Sequence, residues 1–370
     1  MTLASPTAGG AESALHSLVL ALQAFSPDKL ARQHSQVSLA EARKIVSAVH
    51  KGPSIDGPVR ETRRVTLEYV RATFELPTLE VVTEQRSAVD PFRKLLFRTP
   101  DDKRIEAVRI PLEKTGRFSA CVSSQVGCAL ACTFCATGRL GLLRNLEVWE
   151  IVEQVRALRR TLEAGERIHG VVFQGMGEPM ANLDRVLAAI EVLTDPCAQS
   201  IDGRAITVCT SGLPAGIRRL AIEAPKVRLG VSIGSALAND RRRLMPIDEA
   251  HSLDEVLDAA VEHAKRTGYA PLWALTLLSG VNDSPEHARA LAARARDFEA
   301  RSGLRPRISI IPYNAIGDGD PFVRTSAEAE TAFRDAMVTA GVFSKKRYSG
   351  GGDVDAACGQ LAGRDAPIPR

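Results

Sequence analysis

From about Arg117 onward the sequence alternates short β-branched runs with longer helical patterns, and no other feature constrains the fold so strongly. The runs at residues 118–122, 170–174, 205–210, 227–233, 271–278, 307–311 and 343–348 read as strands. Between them, residues 147–162, 183–193, 253–266, 286–298 and 327–340 carry the apolar spacing of helices. Two of these helices have start signals: Ser252 with Glu255 forms a capping box, and Pro285 follows Ser284 at a first helical position. Strands that alternate with helices build a parallel sheet covered by its own crossovers. About six repeats favour an α/β fold with an open, partial (β/α)6 barrel over a closed eightfold one.

The chain of 370 residues, 45% apolar, is long enough for this core plus a smaller unit. Helical stretches at 15–25 and 39–50 flank a Gly-Pro-rich segment at 51–58, and residues 67–110 read as strands leading into the core. The expected division is a small, mainly helical accessory domain over 1–100, a core over 101–361 and a tail over 362–370. Seven unevenly spaced cysteines argue against a secreted disulfide scaffold and for a reducing, cytoplasmic setting. The apolar stretch at 15–25 is too short to span a bilayer and lacks a basic flank and a cleavage site. A net charge of +4 suits a polyanionic partner without demanding one.

The first barrel strand leads into Cys128-Ala-Leu-Ala-Cys132-Thr-Phe-Cys135. A loop in this position lies at the carboxyl ends of the strands, where such folds keep their chemistry. Three thiolates within eight residues suit three corners of a [4Fe-4S] cube, leaving one iron open to an external ligand. Structural zinc is the alternative, but it wants a fourth Cys or His nearby, and the sequence offers none. After the next strand comes Gly175-Met176-Gly177-Glu178-Pro179. A turn rich in glycine lets the backbone approach a ligand closely, and Glu178 offers a carboxylate to an ammonium group.

These motifs resemble those of the radical S-adenosylmethionine (SAM) enzymes, and in particular the RlmN/Cfr RNA adenine methyltransferases. The specific likeness is carried by Cys121-Val-Ser-Ser-Gln-Val-Gly-Cys128, Cys135-Ala-Thr-Gly138, Arg144-Asn-Leu146, Gly280-Val-Asn-Asp-Ser284 and Asp353-Val-Asp-Ala-Ala-Cys358-Gly-Gln-Leu361. The resemblance implies a radical SAM barrel that methylates adenine at carbon 2 or carbon 8 in ribosomal or transfer RNA, using two SAM molecules per turnover. It makes Cys128, Cys132 and Cys135 the cluster ligands and Cys358 the methyl carrier, methylated by one SAM. A second SAM, bound to the open iron and reductively cleaved, would yield the radical that takes hydrogen from the S-methyl group. Cys121 would then release the product through a transient disulfide with Cys358, and Glu106 would accept the ring proton. Gly177, Glu178, Ser211, Ser232 and Asn314 fall on SAM-contacting positions. A flavodoxin or ferredoxin would be the reductant of what is expected to be a monomer without membrane contact.

The chain departs from the family where Gly234 replaces a His in the loop after Ser232, and the N-terminal region is only faintly similar. Those departures leave room for a small-molecule or peptide heteroaromatic substrate as the alternative. Basic runs at Arg159-Arg160, Arg241-Arg-Arg243 and Lys345-Lys-Arg347 are candidate phosphate contacts, with solvated charged faces as the plain alternative. Cys197 and Cys209 match no family role and read as small core or helix-end residues.

Overall fold

The computed structural model describes residues 20–52, 55–317 and 319–363. Helices α1 (Pro27–Gln33), α2 (Leu39–Lys51) and α3 (Arg64–Thr73) come first. Ser26 and Ser38 cap the first two with their side chains, and Ser38 forms a full capping box with Glu41. The expected helix at 15–25 lies outside the described residues up to position 19, and Leu22–Ala24 form a 3-10 turn. The expected strand from residue 67 begins as helix α3, because Thr66, Leu67 and Val70 fall at helical spacing and are buried together.

Strands β1 (Glu80–Arg86), β2 (Arg93–Arg98) and β3 (Arg104–Pro111) then form an antiparallel meander, and β3 pairs antiparallel with β4 (Arg117–Cys121). From β4 the sheet turns parallel, through β7 (Arg167–Phe173), β8 (Ile206–Thr210), β9 (Arg228–Ser232), β10 (Leu272–Leu277), β11 (Arg307–Pro312) and β12 (Ser344–Lys346). Each neighbouring pair in this series runs parallel. The sheet begins at β1 and ends at β12 without closing, which gives the open, partial barrel expected from six βα repeats.

The crossovers are α5 (Val148–Arg160), α6 (Leu183–Thr194), α7 (Pro214–Glu223), α8 (Ala238–Leu244), α9 (Leu253–Thr267), α10 (Pro285–Ser302) and α11 (Ala327–Thr339). They pack in neighbouring pairs, α5 on α6, α7 on α9 and α10 on α11, burying apolar stripes against strands whose central residues are inaccessible. No helix among the described residues is long and apolar enough to cross a membrane.

One small element escapes the periodicity. Strands β5 (Gln125–Gly127) and β6 (Leu142–Asn145) form a separate two-stranded hairpin that brackets the 128–135 loop and the one-turn helix α4 (Ala136–Arg139). The hairpin is stitched to the loop after β7. Ser124 N–H donates to Met176 O at 2.8 Å, Met176 N–H donates to Ser123 Oγ at 2.9 Å, and Gly175 N–H donates to Val122 O at 3.1 Å. A Cβ at Gly175 would stand 2.7 Å from the Val122 carbonyl, so only glycine lets the loops after β4 and β7 lie together. Gly175→Ala is expected to cost about 2 kcal/mol, measured as a lower urea midpoint at unchanged slope.

Candidate active site

At the carboxyl ends of the parallel strands, Cys128, Cys132, Cys135, Gly177, Glu178, Ser211, Ser232 and Cys358 line one cavity. The cysteine loop is pinched by glycines. A Cβ at Gly127 would overlap the Gly141 carbonyl, and one at Gly138 would lie 2.8 Å from the Cys132 carbonyl. Cys128 N–H closes the hairpin on Gly141 O at 2.9 Å, and Cys135 N–H turns back to Cys132 O at 3.1 Å. Burial pushes the thiols of Cys128 and Cys132 up, to about 11 and about 12.

Among the described residues, no three His, Cys, Asp or Glu side chains group as ligands of a single metal ion. Separate sulfurs facing one cavity suit a cube, which asks one thiolate of each of three irons. Cys128, Cys132 and Cys135 are therefore the residues that fit a [4Fe-4S] cluster.

Glu178 forms the next wall. Its two carboxylate oxygens accept Met180 N–H at 3.0 Å and Ser211 N–H at 2.9 Å, while its own N–H donates to Gln125 Oε1 at 2.8 Å. A carboxylate has capacity left beyond those two bonds, so an ammonium group can still be received from the cavity. Gly177 sits at φ +98, with Gln125 where a side chain would project. Ser211 and Ser232 are presented by the ends of β8 and β9, and both of their carbonyls are held by one side chain that sequence reasoning assigned elsewhere. Arg241, fully buried, donates to Ser211 O at 2.8 Å, to Ser232 O at 3.0 Å and to Ile233 O, and pairs with Asp248 at 2.8 Å. It fastens two strand ends and is inaccessible to phosphate.

Cys358 arrives from the far end of the chain. Ala136 N–H donates to Gly359 O at 2.8 Å, and Thr137 Oγ1 donates to Leu361 O at 2.5 Å, which ties the segment to α4 beside the cysteine loop. Cys358 also lines a second, smaller pocket, together with Cys121, Gln174 and Arg347. The wall between the two cavities thus carries the Cys358 sulfur, with Cys128, Cys132 and Cys135 on one side and Cys121 on the other. All seven cysteines are free thiols. Burial pushes Cys121 up to about 12, helped by the neighbouring Cys358 and opposed by the Arg347 guanidinium; the Cys358 thiol is raised by burial and opposed by the same guanidinium.

Besides Cys121, two predicted residues stand outside the main cavity. Glu106, on β3, is buried against Lys94 with Nζ to Oε1 at 3.0 Å, and its other oxygen accepts Ala362 N–H at 2.8 Å and Gly363 N–H at 3.0 Å. Asn314 turns its amide to Ser349 Oγ at 2.8 Å, in a depression on the outer side of the 348–355 loop. Cys209, read from sequence as core, lines the main cavity at the end of β8. Strand β8 could be placed from sequence, but its inward face could not.

The geometry has relatives. The Radical SAM superfamily model matches residues 122–292. A probable RNA methyltransferase of Sorangium cellulosum is 57% identical over 356 residues, spanning 90% of each chain. The dual-specificity RNA methyltransferase RlmN of Anaeromyxobacter dehalogenans is 39% identical over 88% of this chain and 87% of its own. The chain belongs to the RlmN/Cfr family of radical SAM RNA methyltransferases. The crystal structure of a radical SAM methyltransferase from Sphaerobacter thermophilus superposes with a TM-score of 0.84 at 33% identity, covering 93% of this chain and all of that one.

The remaining basic runs are also largely spent within the molecule. Arg159 donates to Gln199 O, and Arg160 pairs with Glu153. Lys345 pairs with Glu113, Lys346 pairs with Glu330, and Arg347 turns inward to Gln174. In the 241–243 run, Arg243 bonds to Asp240 and stays exposed, as does Arg242. Of these runs, Arg241 and Arg347 turn inward, while Arg160, Arg242, Arg243, Lys345 and Lys346 stay at the surface.

Two substitutions test this arrangement. Arg241→Met leaves Asp248 buried without its partner and is expected to cost about 4 kcal/mol, read by urea unfolding. Burial raises Glu178 from 4.5 to about 7, so between those values the folded chain keeps a proton that the unfolded chain has released. Stability contributed at this site therefore falls as pH rises through that window. Glu178→Gln, with no proton to lose, is expected to gain on the parent by about 3 kcal/mol between about pH 4.5 and pH 8. Paired unfolding curves at the two pH values measure it, and a difference that ignores pH contradicts the assignment.

Proposed function

We propose that this protein methylates a ring carbon of adenine, carbon 2 or carbon 8, in ribosomal or transfer RNA, with Cys358 as the methyl carrier. The observation that carries the reading is the position of Cys358 in the wall between the cavity of Cys128, Cys132 and Cys135 and the pocket of Cys121. An amidine carbon in an aromatic ring is electrophilic and has no electron pair with which to attack SAM, so the methyl must come by another route. A cluster held by the three cysteines supplies the electron for reductive cleavage of SAM.

The protein's own groups then divide the remaining work. Glu178 takes the ammonium group of SAM, and Ser211 and Ser232, fixed by Arg241, bound the space its other parts occupy. The Cys358 thiolate receives the first methyl group. Cys121 attacks the Cys358 sulfur at the end; the carbon–sulfur bond breaks with its electron pair on the methylene carbon, which takes up a proton to become methyl, leaving a disulfide that a reductant must open. Glu106 serves as proton acceptor. Its carboxylate is engaged by Lys94 and by the N–H groups of Ala362 and Gly363, so in this role it acts when the segment after Cys358 shifts.

Anaerobic reconstitution followed by mass spectrometry of protein and RNA tests the reading. The parent is expected to carry a methyl group on Cys358 and to add 14 mass units (~14, one CH2) to an adenosine of rRNA or tRNA, the arithmetic of replacing a ring hydrogen by methyl. Cys358→Ala should abolish RNA methylation, and Cys121→Ala should retain RNA cross-linked to Cys358. Methylated Cys358 without methylated RNA would count against the RNA substrate.

A further inference from the structure

The small pocket contains a donor pair with no part in the proposed steps. Arg347 comes directly after β12, and its backbone N–H is anchored on Ile310 O at 2.8 Å. While Lys345 pairs with Glu113 at the surface and Lys346 with the buried Glu330, the Arg347 side chain turns inward, and its Nη1 donates to Gln174 Oε1 at 3.1 Å. The other end of the same amide, Gln174 Nε2, donates to Cys358 Sγ at 3.3 Å.

The order of this relay is dictated by chemistry. A glutamine amide beside a sulfur can present either its oxygen or its NH2 group, and the two are interchangeable by rotation. A guanidinium has only donors, so Arg347 fixes the oxygen toward itself and thereby commits the NH2 group to the sulfur. A sulfur that faces a committed donor is favoured in the form that only accepts, the thiolate. Gln174 also lines both cavities, as Cys358 does, so the hydrogen bond lies in the wall itself.

We infer that Arg347 is a positioning residue that acts through Gln174 to hold the Cys358 sulfur as a thiolate acceptor, ready to attack a methyl group. The inference rests on the proposed role of Cys358 as methyl carrier. In the step it assists, the Cys358 thiol first gives up its proton to solvent. The sulfur lone pair then forms the new S–CH3 bond while the sulfonium S–CH3 bond of SAM breaks. That bond's electron pair stays on the departing sulfur, so the products are S-methylcysteine and S-adenosylhomocysteine, with no net oxidation.

Two rates on the reconstituted holoenzyme test it at one fixed pH: alkylation of Cys358 by iodoacetamide without SAM, and transfer of a deuterated methyl group from SAM to Cys358. Both are read by peptide mass spectrometry, with Cys197, which lines neither pocket, as internal reference. Gln174→Leu and Arg347→Met should each slow both rates about tenfold, the scale of one hydrogen bond to a charged group. Arg347→Lys, still a donor-only cation, should recover to within about threefold of the parent on the same scale. The Arg347 charge also bears directly on the Cys358 sulfur, so the double variant should be slower than Gln174→Leu alone but by clearly less than the Arg347→Met loss, because part of that loss runs through Gln174.

Parental rates in Gln174→Leu overturn the inference, and fully additive losses in the double variant overturn the relay. Melting temperature and iron content serve as folding controls, and Gln174→Leu carries the test if Arg347→Met does not fold. If Cys358 takes no methyl from SAM even in the parent, yet its alkylation depends on Arg347 and Gln174 as stated, the carrier role fails and the positioning role stands.

Discussion

The carboxylate of Glu106, buried beside Lys94, accepts the backbone N–H groups of Ala362 and Gly363, and this tie fixes where the far end of the chain meets its middle. Lys94 reaches on to Asp355 O at 3.3 Å, so one buried ion pair grips the segment on both sides of Cys358. A buried pair of this kind contributes little net stability against an apolar alternative, but losing one partner strands the other charge. What it provides is register. With α4 holding Gly359 and Leu361 from the opposite side, the Cys358 sulfur is placed in the wall between two cavities. Residues 355–363 form no regular element beyond isolated turns, so side chains and backbone hydrogen bonds must do what a strand ladder does elsewhere.

The sheet supplies the other half of the placement. Parallel strands bring their carboxyl ends to one rim, and the loops after β4 and β7 meet there because Gly175 has no side chain. Glu178 then bridges from the loop after β7 to the end of β8 through Ser211 N–H, and Arg241 carries the bracing on to β9. Adjacent βα units are thus locked laterally by charged side chains whose polar atoms are satisfied by backbone. Such groups are tolerable in a buried rim because every bond they make replaces one lost to water.

Much of this was legible in the chain, for identifiable reasons. Strands β7, β8 and β11 declare themselves through β-branched residues, whereas β4 has none, and Ser252 with Glu255 marks α9 because a capping box is a local event. Cys128, Cys132, Cys135 and Glu178 could be brought to one cavity from sequence because their spacing in one loop or turn forces them together. Long-range relations were harder. Arg241 looked like part of a basic surface run, and Arg347 likewise, because a sequence shows charge but not which way a side chain turns. Gln174 carried no signal at all; its role comes from a sulfur 184 positions away. Helix α3 was missed because its short apolar stripe, Thr66, Leu67 and Val70, resembles a β-branched run.

The glycine at position 234 also becomes intelligible only in three dimensions. Gly234 lies at φ +66, in the left-handed region, and lines the main cavity. A Cβ built there would collide with the Met245 sulfur, so Met245 occupies the space into which a residue at 234 would project. Gly234 O meanwhile accepts Asn282 Nδ2 at 2.7 Å, which holds this turn in place from the next strand's loop. The thioether of Met245 packs against the backbone at Gly234 and leaves no room there for a larger side chain in this backbone conformation. Gly234 itself offers the cavity no side-chain donor or acceptor, so hydrogen bonds to an occupant come from other lining groups such as Glu178, Ser211 and Ser232.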